Sequence, residues 1–171
     1  MSSITIVGPC YNEDQNIDEY IKRVVKTAEK LNLDYKIILV DDGSEDNTWI
    51  KISEHIINNH RIHGLKFTRN FGHQAAIMAG INFANSDYIF CSDVDLQDPP
   101  ELLEQMFQKL KKKRLDVVFG KRTKNNESFL KKYSSIAFYK FFNLLSNTKI
   151  NEQTSDFILM NDRVISELKK V

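Results

Sequence analysis

Asp93 and Asp95 stand one residue apart in the segment Ser92-Asp93-Val94-Asp95-Leu96-Gln97-Asp98-Pro99-Pro100. Carboxylates are hard oxygen ligands, and two of them in one turn can hold a magnesium- or manganese-like cation. Such a cation can in turn hold a diphosphate and offset the charge that builds on it as it leaves. An acidic turn that merely caps a helix uses the same residue types, so the pair alone decides nothing. A calcium-binding EF-hand fits poorly, because that loop requires a central glycine and this one has none.

Three other turns carry polar residues of the same kind. Gly8-Pro9-Cys10-Tyr11-Asn12-Glu13 follows an apolar run, and its proline and glycine force an extended turn. Tyr11 there can stack on a planar base, or Asn12 can simply cap the next helix. Val40-Asp41-Asp42-Gly43-Ser44-Glu45-Asp46-Asn47-Thr48 follows a second run. Capping accounts for Asp46 and Asn47. It accounts poorly for Asp41-Asp42, since adjacent like charges repel unless something uses them. A carboxylate there can accept a hydrogen bond from a nucleotide base. Phe67-Thr68-Arg69-Asn70-Phe71-Gly72-His73-Gln74 follows a third run, with Arg69 either on a ligand or paired to a neighbouring aspartate.

The elements that must position these turns alternate along the chain. Strands are expected at Ile4–Val7, Tyr35–Val40, Gly64–Phe67, Tyr88–Cys91 and Asp116–Gly120. Helices are expected at Asn16–Leu31, Thr48–Ile57, Gln74–Phe83 and Pro100–Lys112, from apolar residues at helical spacing such as Ile17, Ile21, Val24, Val25 and Ala28. Ala75, Ala76, Ala79 and Gly80 allow the third helix to pack closely. An aromatic-rich helix is expected over 128–145, then Phe157–Met160 and a last helix from Asp162. This order predicts an α/β fold with a single, mostly parallel central sheet flanked by helices. All four turns then fall at the carboxyl ends of strands, where open α/β sheets bind ligands. A phosphatase with an Asp-x-Asp nucleophile is disfavoured, because here the pair follows the fourth strand.

Composition narrows the class. The 171 residues suffice for one domain with a real core. A net charge of +1, with 42% hydrophobic and 27% charged residues, fits an ordinary globular protein and gives no field for nucleic acid. Cys10 and Cys91 read as small buried hydrophobes of a reducing compartment. The four histidines, at 55, 60, 63 and 73, show no zinc pattern and read mostly as surface or packing residues. No glycine-rich dinucleotide fingerprint or phosphate-loop lysine motif occurs. The N-terminus lacks a signal peptide, and no apolar run reaches the roughly 20 residues that span a bilayer. The chain ends within an expected helix. We therefore expect one domain over 1–171 that is truncated at its C-terminus.

Pro9-x-Tyr11-Asn12-Glu13, Val40-Asp41-Asp42-Gly43-Ser44, Arg69-Asn70-Phe71-Gly72 and Asp93-x-Asp95-Leu96-Gln97-Asp98-Pro99-Pro100, in this order, resemble family 2 glycosyltransferases with the glycosyltransferase-A type fold. Leu96 to Pro100 points to the branch that glycosylates polyprenyl phosphates, similar to dolichol-phosphate mannose synthase and undecaprenyl-phosphate glycosyltransferases. The resemblance runs from about Ile4 to the C-terminus. It implies a cytoplasmic catalytic domain over 1–171, with a membrane-anchoring C-terminal part beyond it, that performs inverting, metal-dependent transfer from a UDP- or GDP-sugar to a polyprenyl phosphate at the cytoplasmic face of a membrane. The implied nucleotide site is Pro9, Tyr11, Glu13, Asp42, Arg69 and Asp93. The implied ligands of Mg2+ or Mn2+ are Asp93, Asp95 and Gln97, with Asp95 foremost. Arg122, in Gly120-Lys121-Arg122, is implied at a phosphate. Lys131 and Ser135, one helical turn apart, join it at the acceptor phosphate, although lysine lacks the fork of the expected arginine.

The resemblance implies that Asp156 is the acidic residue of a Gly-Asp-Phe motif in which Ser155 replaces glycine. Ile158 departs from the branch, which usually has arginine there. Asp95, Asp156 and Arg122 are the implied catalytic set. A polyprenyl phosphate is already ionised, so attack needs no strong base, and positioning with charge neutralisation would dominate. One alternative is a family 2 enzyme with a sugar hydroxyl as acceptor, where Asp156 would be the base. Another is a nucleotide-binding module without turnover.

Overall fold

The computed structural model describes residues 2–120 and 156–170. Six strands form one sheet: β1 (Ser3–Cys10), β2 (Asp34–Asp41), β3 (Ile62–Lys66), β4 (Tyr88–Cys91), β5 (Val117–Phe119) and β6 (Ile158–Asn161). The helices are α1 (Ile17–Lys30), α2 (Thr48–Asn58), α3 (His73–Phe83), α4 (Leu102–Lys113) and α5 (Asp162–Leu168). Strand order is β3-β2-β1-β4-β6-β5. β1 to β4 pair in parallel, and β6 runs antiparallel between β4 and β5. The expected mostly parallel sheet is therefore present, and the 157–160 piece is its one reversed strand. The expected helix over 128–145 lies outside the described residues.

Period-two alternation divides the core between the two sheet faces. Ile4, Ile6, Ile37, Leu39 and Phe90 pack with Tyr20 and Val24 of α1, Ile52 of α2, and Leu103 and Met106 of α4. Val7, Ile38, Val40, Ile89 and Cys91 pack with Ala76, Ile77 and Ile81 of α3 and Ile165 of α5. α3 lies close on β1 because Gly80 has no side chain. A β-carbon there would come within 2.3 Å of Val7 Cγ1. The lysine-rich end of α4 is a solvated helix end, with Lys111 Nζ 2.7 Å from the Tyr88 hydroxyl. Cations suit that end because the helix dipole is negative there. Among the described residues, no helix is long and apolar enough to cross a membrane.

β1 and β2 end side by side, with Cys10 opposite Asp41, and β4 ends beside Val7. The crossovers that link β1 to β2, β2 to β3 and β3 to β4 return over a sheet face. The turns after β1, β2, β3 and β4 therefore gather at one edge, as the chain order requires.

Candidate active site

The first two turns are stitched together by side-chain hydrogen bonds. The Ser44 hydroxyl accepts the Asn12 N–H at 2.9 Å, and the Thr48 hydroxyl accepts the Glu13 N–H at 2.8 Å. Asp46 Oδ2 accepts the Asp14 N–H at 3.2 Å, while Asn12 Oδ1 accepts the Glu45 N–H at 2.9 Å. Asn12 takes a left-handed conformation, φ 56°, to make this exchange. That conformation is one asparagine tolerates.

The adjacent aspartates turn out to serve two different loops. Asp41 Oδ1 accepts the Ser44 N–H at 3.0 Å and shapes its own turn. Asp42 reaches across to the turn after β3, where its two oxygens accept the Phe71 N–H at 2.7 Å and the Gly72 N–H at 2.9 Å. Both carboxylates are buried. Gly43, at φ +74°, makes room for this crossing, since a β-carbon would meet the Arg69 carbonyl carbon at 2.4 Å.

The turn after β4 is anchored from below. Tyr20, fully buried on α1, shares a 2.7 Å hydrogen bond with Ser92 Oγ and donates to the Ser92 carbonyl at 3.2 Å. Ser92 immediately precedes Asp93, so one phenol fixes the start of the acidic turn. Tyr20→Phe leaves the Ser92 hydroxyl with its buried partner removed. It is expected to cost about 1–3 kcal/mol in urea denaturation, and an unchanged midpoint would contradict the anchoring.

These turns enclose a cavity of about 250 Å³, lined by Pro9, Cys10, Tyr11, Glu13, Asp42, Asn70, His73, Ala76, Asp93, Val94 and Asp95. Six sequence-derived candidates thus meet: Pro9, Tyr11, Glu13, Asp42, Asp93 and Asp95. Arg69 does not line the cavity. It is exposed, with its guanidinium carbon 4.8 Å over the Phe71 ring rather than on an aspartate. Gln97 is exposed outside the lining, and its N–H donates to Asp95 Oδ1 at 3.0 Å. Arg122, Lys131 and Ser135 lie outside the described residues. Burial pushes both thiols up, Cys91 to about 12, so Cys10 enters the wall as a neutral small group.

The residues chosen from sequence did not include His73, which stands at the start of α3 and in the cavity wall. Its Nε2 lies 3.1 Å from Asp156 Oδ2 and 3.4 Å from Asp93 Oδ1. The hydrogen bond with Asp156, helped by the nearby Asp93 and Asp42 charges, raises the imidazole pKa against half-burial. Gln74 donates its side-chain N–H to both Asp156 oxygens at 3.2 Å. Asp156, at the entry to β6, therefore joins the site through α3. A lone histidine in a loop carries no sequence signal for this. Its spacing from Asp93 and Asp156 becomes meaningful once β6 is known to lie beside β4.

Two carboxylates on an open wall suit a cation that keeps water and takes its other ligands from phosphate. Asp93 and Asp95 could take that role, with Asp93 Oδ1 buried and Asp95 half-buried in the same lining. Among the described residues, no cluster of three or more His, Cys, Asp or Glu forms a closed metal cage.

Known proteins resemble this chain over nearly its whole length. The Bacillus subtilis protein named "Uncharacterized glycosyltransferase YkcC" is 38% identical over 168 residues, covering 98% of this chain and 52% of that protein. The Escherichia coli "Prophage bactoprenol glucosyl transferase homolog" is 35% identical over 167 residues, covering 97% of this chain and 54% of that one. The chain thus spans about half the length of these relatives. Among solved structures, the mannosyltransferase PcManGT from Pyrobaculum calidifontis, in complex with GDP-Man and Mn2+, covers 96% of this chain and 46% of its own. Its TM-score is 0.65 at 15% identity, a likeness of fold. Residues 5–168 match the profile of Glycosyl transferase family 2, and the chain belongs to that family.

Proposed function

We propose that this chain is the catalytic domain of an inverting transferase that moves a sugar from a nucleoside-diphosphate sugar to a polyprenyl phosphate. The observation that carries the reading is the single cavity that Asp93 and Asp95 line together with Pro9, Tyr11, Glu13 and Asp42. That set offers Asp93 and Asp95 for a cation-linked diphosphate, and an aromatic ring with further carboxylates for a base and ribose. Relatives named bactoprenol glucosyl transferase, at 34–35% identity over 97% of the chain, support a polyprenyl phosphate as acceptor.

In this reading Asp93 and Asp95 would hold the divalent cation, with Gln97 able to add its carbonyl oxygen by rotation. When bound, the cation would neutralise charge on the departing diphosphate. Tyr11 and Glu13 border the base and ribose, and Asp42 fixes the loop that closes the same wall. Asp156, held by His73 and Gln74, orients the acceptor side. Arg122, Lys131 and Ser135 would bind the acceptor phosphate. A phosphate oxyanion already carries the attacking charge, so these groups position and neutralise rather than abstract a proton.

The complete protein, given UDP- and GDP-sugars and a polyprenyl phosphate, is expected to form a lipid-linked sugar. Each charge-assisted phosphate contact contributes about 1.5–3 kcal/mol. Arg122→Ala with Lys131→Ala should therefore lower transfer by about tenfold or more, while donor affinity changes far less. Wild-type transfer by that double variant would reject the acceptor placement and favour a sugar hydroxyl.

A further inference from the structure

Three carboxylates from three different strands converge on one four-residue segment. Asp42 at the end of β2 takes the N–H groups of Phe71 and Gly72. Asp156, two residues before β6, takes the Gln74 side chain and lies 3.1 Å from His73 Nε2. Asp93, after β4, has its buried Oδ1 3.4 Å from the same nitrogen. Phe71 to Gln74 is therefore the junction at which the base side, the cation side and the acceptor side of the cavity meet.

The imidazole is the member of this junction that touches two of the three. Asp93 and Asp156 would repel across a short gap if nothing stood between them. A ring nitrogen within reach of both offsets that repulsion and ties β6 to the acidic turn. Gln74 donates to Asp156 alone of these three carboxylates. Gly72, with φ +100° and open space around it, lets the backbone turn so that His73 enters the wall while the Gly72 N–H still meets Asp42.

We propose that His73 is a positioning residue that sets Asp156 against Asp93, and so fixes the acceptor side of the site relative to the donor side. The inference rests on the transferase reading above. It makes His73 act through Asp156 and leaves the contact with donor nucleotide to other residues. Displacing a positioned group by about 1 Å can cost as much as about 100-fold in rate.

The test is a double-mutant cycle in the complete protein, with sugar transfer to polyprenyl phosphate measured under saturating Mn2+. His73→Ala is expected to lower kcat about 10- to 100-fold, with KM for the donor sugar within about threefold. His73→Gln, which keeps an N–H near the position of Nε2, should recover part of the loss. In an Asp156→Asn background, His73→Ala should add little further loss, because residues acting as a unit are not additive. Full additivity, or a rise in donor KM at unchanged kcat, would overturn the proposal. Should wild type transfer no sugar, the transferase reading fails. His73 is then judged by its ring nitrogen resonances, which must shift in Asp156→Asn. Resonances that stay in place overturn the clamp. Should His73→Ala fail to fold, His73→Phe, which removes the ring nitrogens but keeps a ring, carries the same comparison, and wild-type kcat in His73→Phe or full additivity with Asp156→Asn would reject the proposal.

Discussion

Asp42→Ala is expected to destabilise the domain by about 3 kcal/mol or more and to weaken nucleotide binding as a consequence. The carboxylate is buried and its two oxygens accept the N–H groups of Phe71 and Gly72 at 2.7 and 2.9 Å. Hydrogen bonds to a charged group contribute about 1.5–3 kcal/mol each, and removal strands two amides. Asp42→Asn keeps one acceptor oxygen and should lose about half as much. Chemical denaturation measures both. An unaltered midpoint for Asp42→Ala, together with lost nucleotide affinity, would mean that the carboxylate serves the ligand alone.

This expectation differs from what the residues of that turn imply by themselves. From sequence, Asp42 reads as a ligand contact because no local use for a second aspartate is visible. Its use is non-local: the amides it holds are 29 and 30 positions later. The parallel sheet, its helices and the gathering of four turns at one edge were legible, because apolar periodicity and strand–helix alternation are local signals. The extent of β1 was less legible. Its burial continues through Gly8, Pro9 and Cys10, beyond the Ile-Val run that marks it. The reversed strand β6 was legible as an apolar piece but not as a sheet neighbour of β4, since pairing direction leaves no mark in four residues. That gap hid His73, whose importance depends on β6 bringing Asp156 beside Asp93. Arg69 is a residue whose contact within the protein left no mark in the sequence. A cation at that edge reads as a ligand contact or ion pair, and in the fold its guanidinium lies over Phe71, two residues away.

Asp95→Ala carries the other large effect. Asp95 lines the cavity beside Asp93, and its Oδ1 shapes the turn through the Gln97 N–H. If Asp93 and Asp95 together hold a cation that bridges to a diphosphate, one carboxylate is too few to hold it against water. Nucleoside-diphosphate affinity in saturating Mn2+ should then fall by about tenfold or more, equivalent to about 1.4 kcal/mol. The fold should persist, because the core clusters on both sheet faces contain no part of Asp95. Asp95→Asn keeps the oxygen that receives the Gln97 N–H, so a loss of nucleotide binding in that variant would report the charge and not the turn.

Calorimetric titration of UDP and of GDP into the protein, once in Mn2+ and once in excess chelator, tests the central claim most directly. At least one nucleotide is expected to bind about tenfold or more tightly with Mn2+ than without it. Asp95→Ala should bring that affinity down to the chelator value while retaining the wild-type circular dichroism spectrum. Equal affinity in Mn2+ and in chelator, or a full Mn2+ effect in Asp95→Ala, would contradict a cation-linked diphosphate on Asp93 and Asp95.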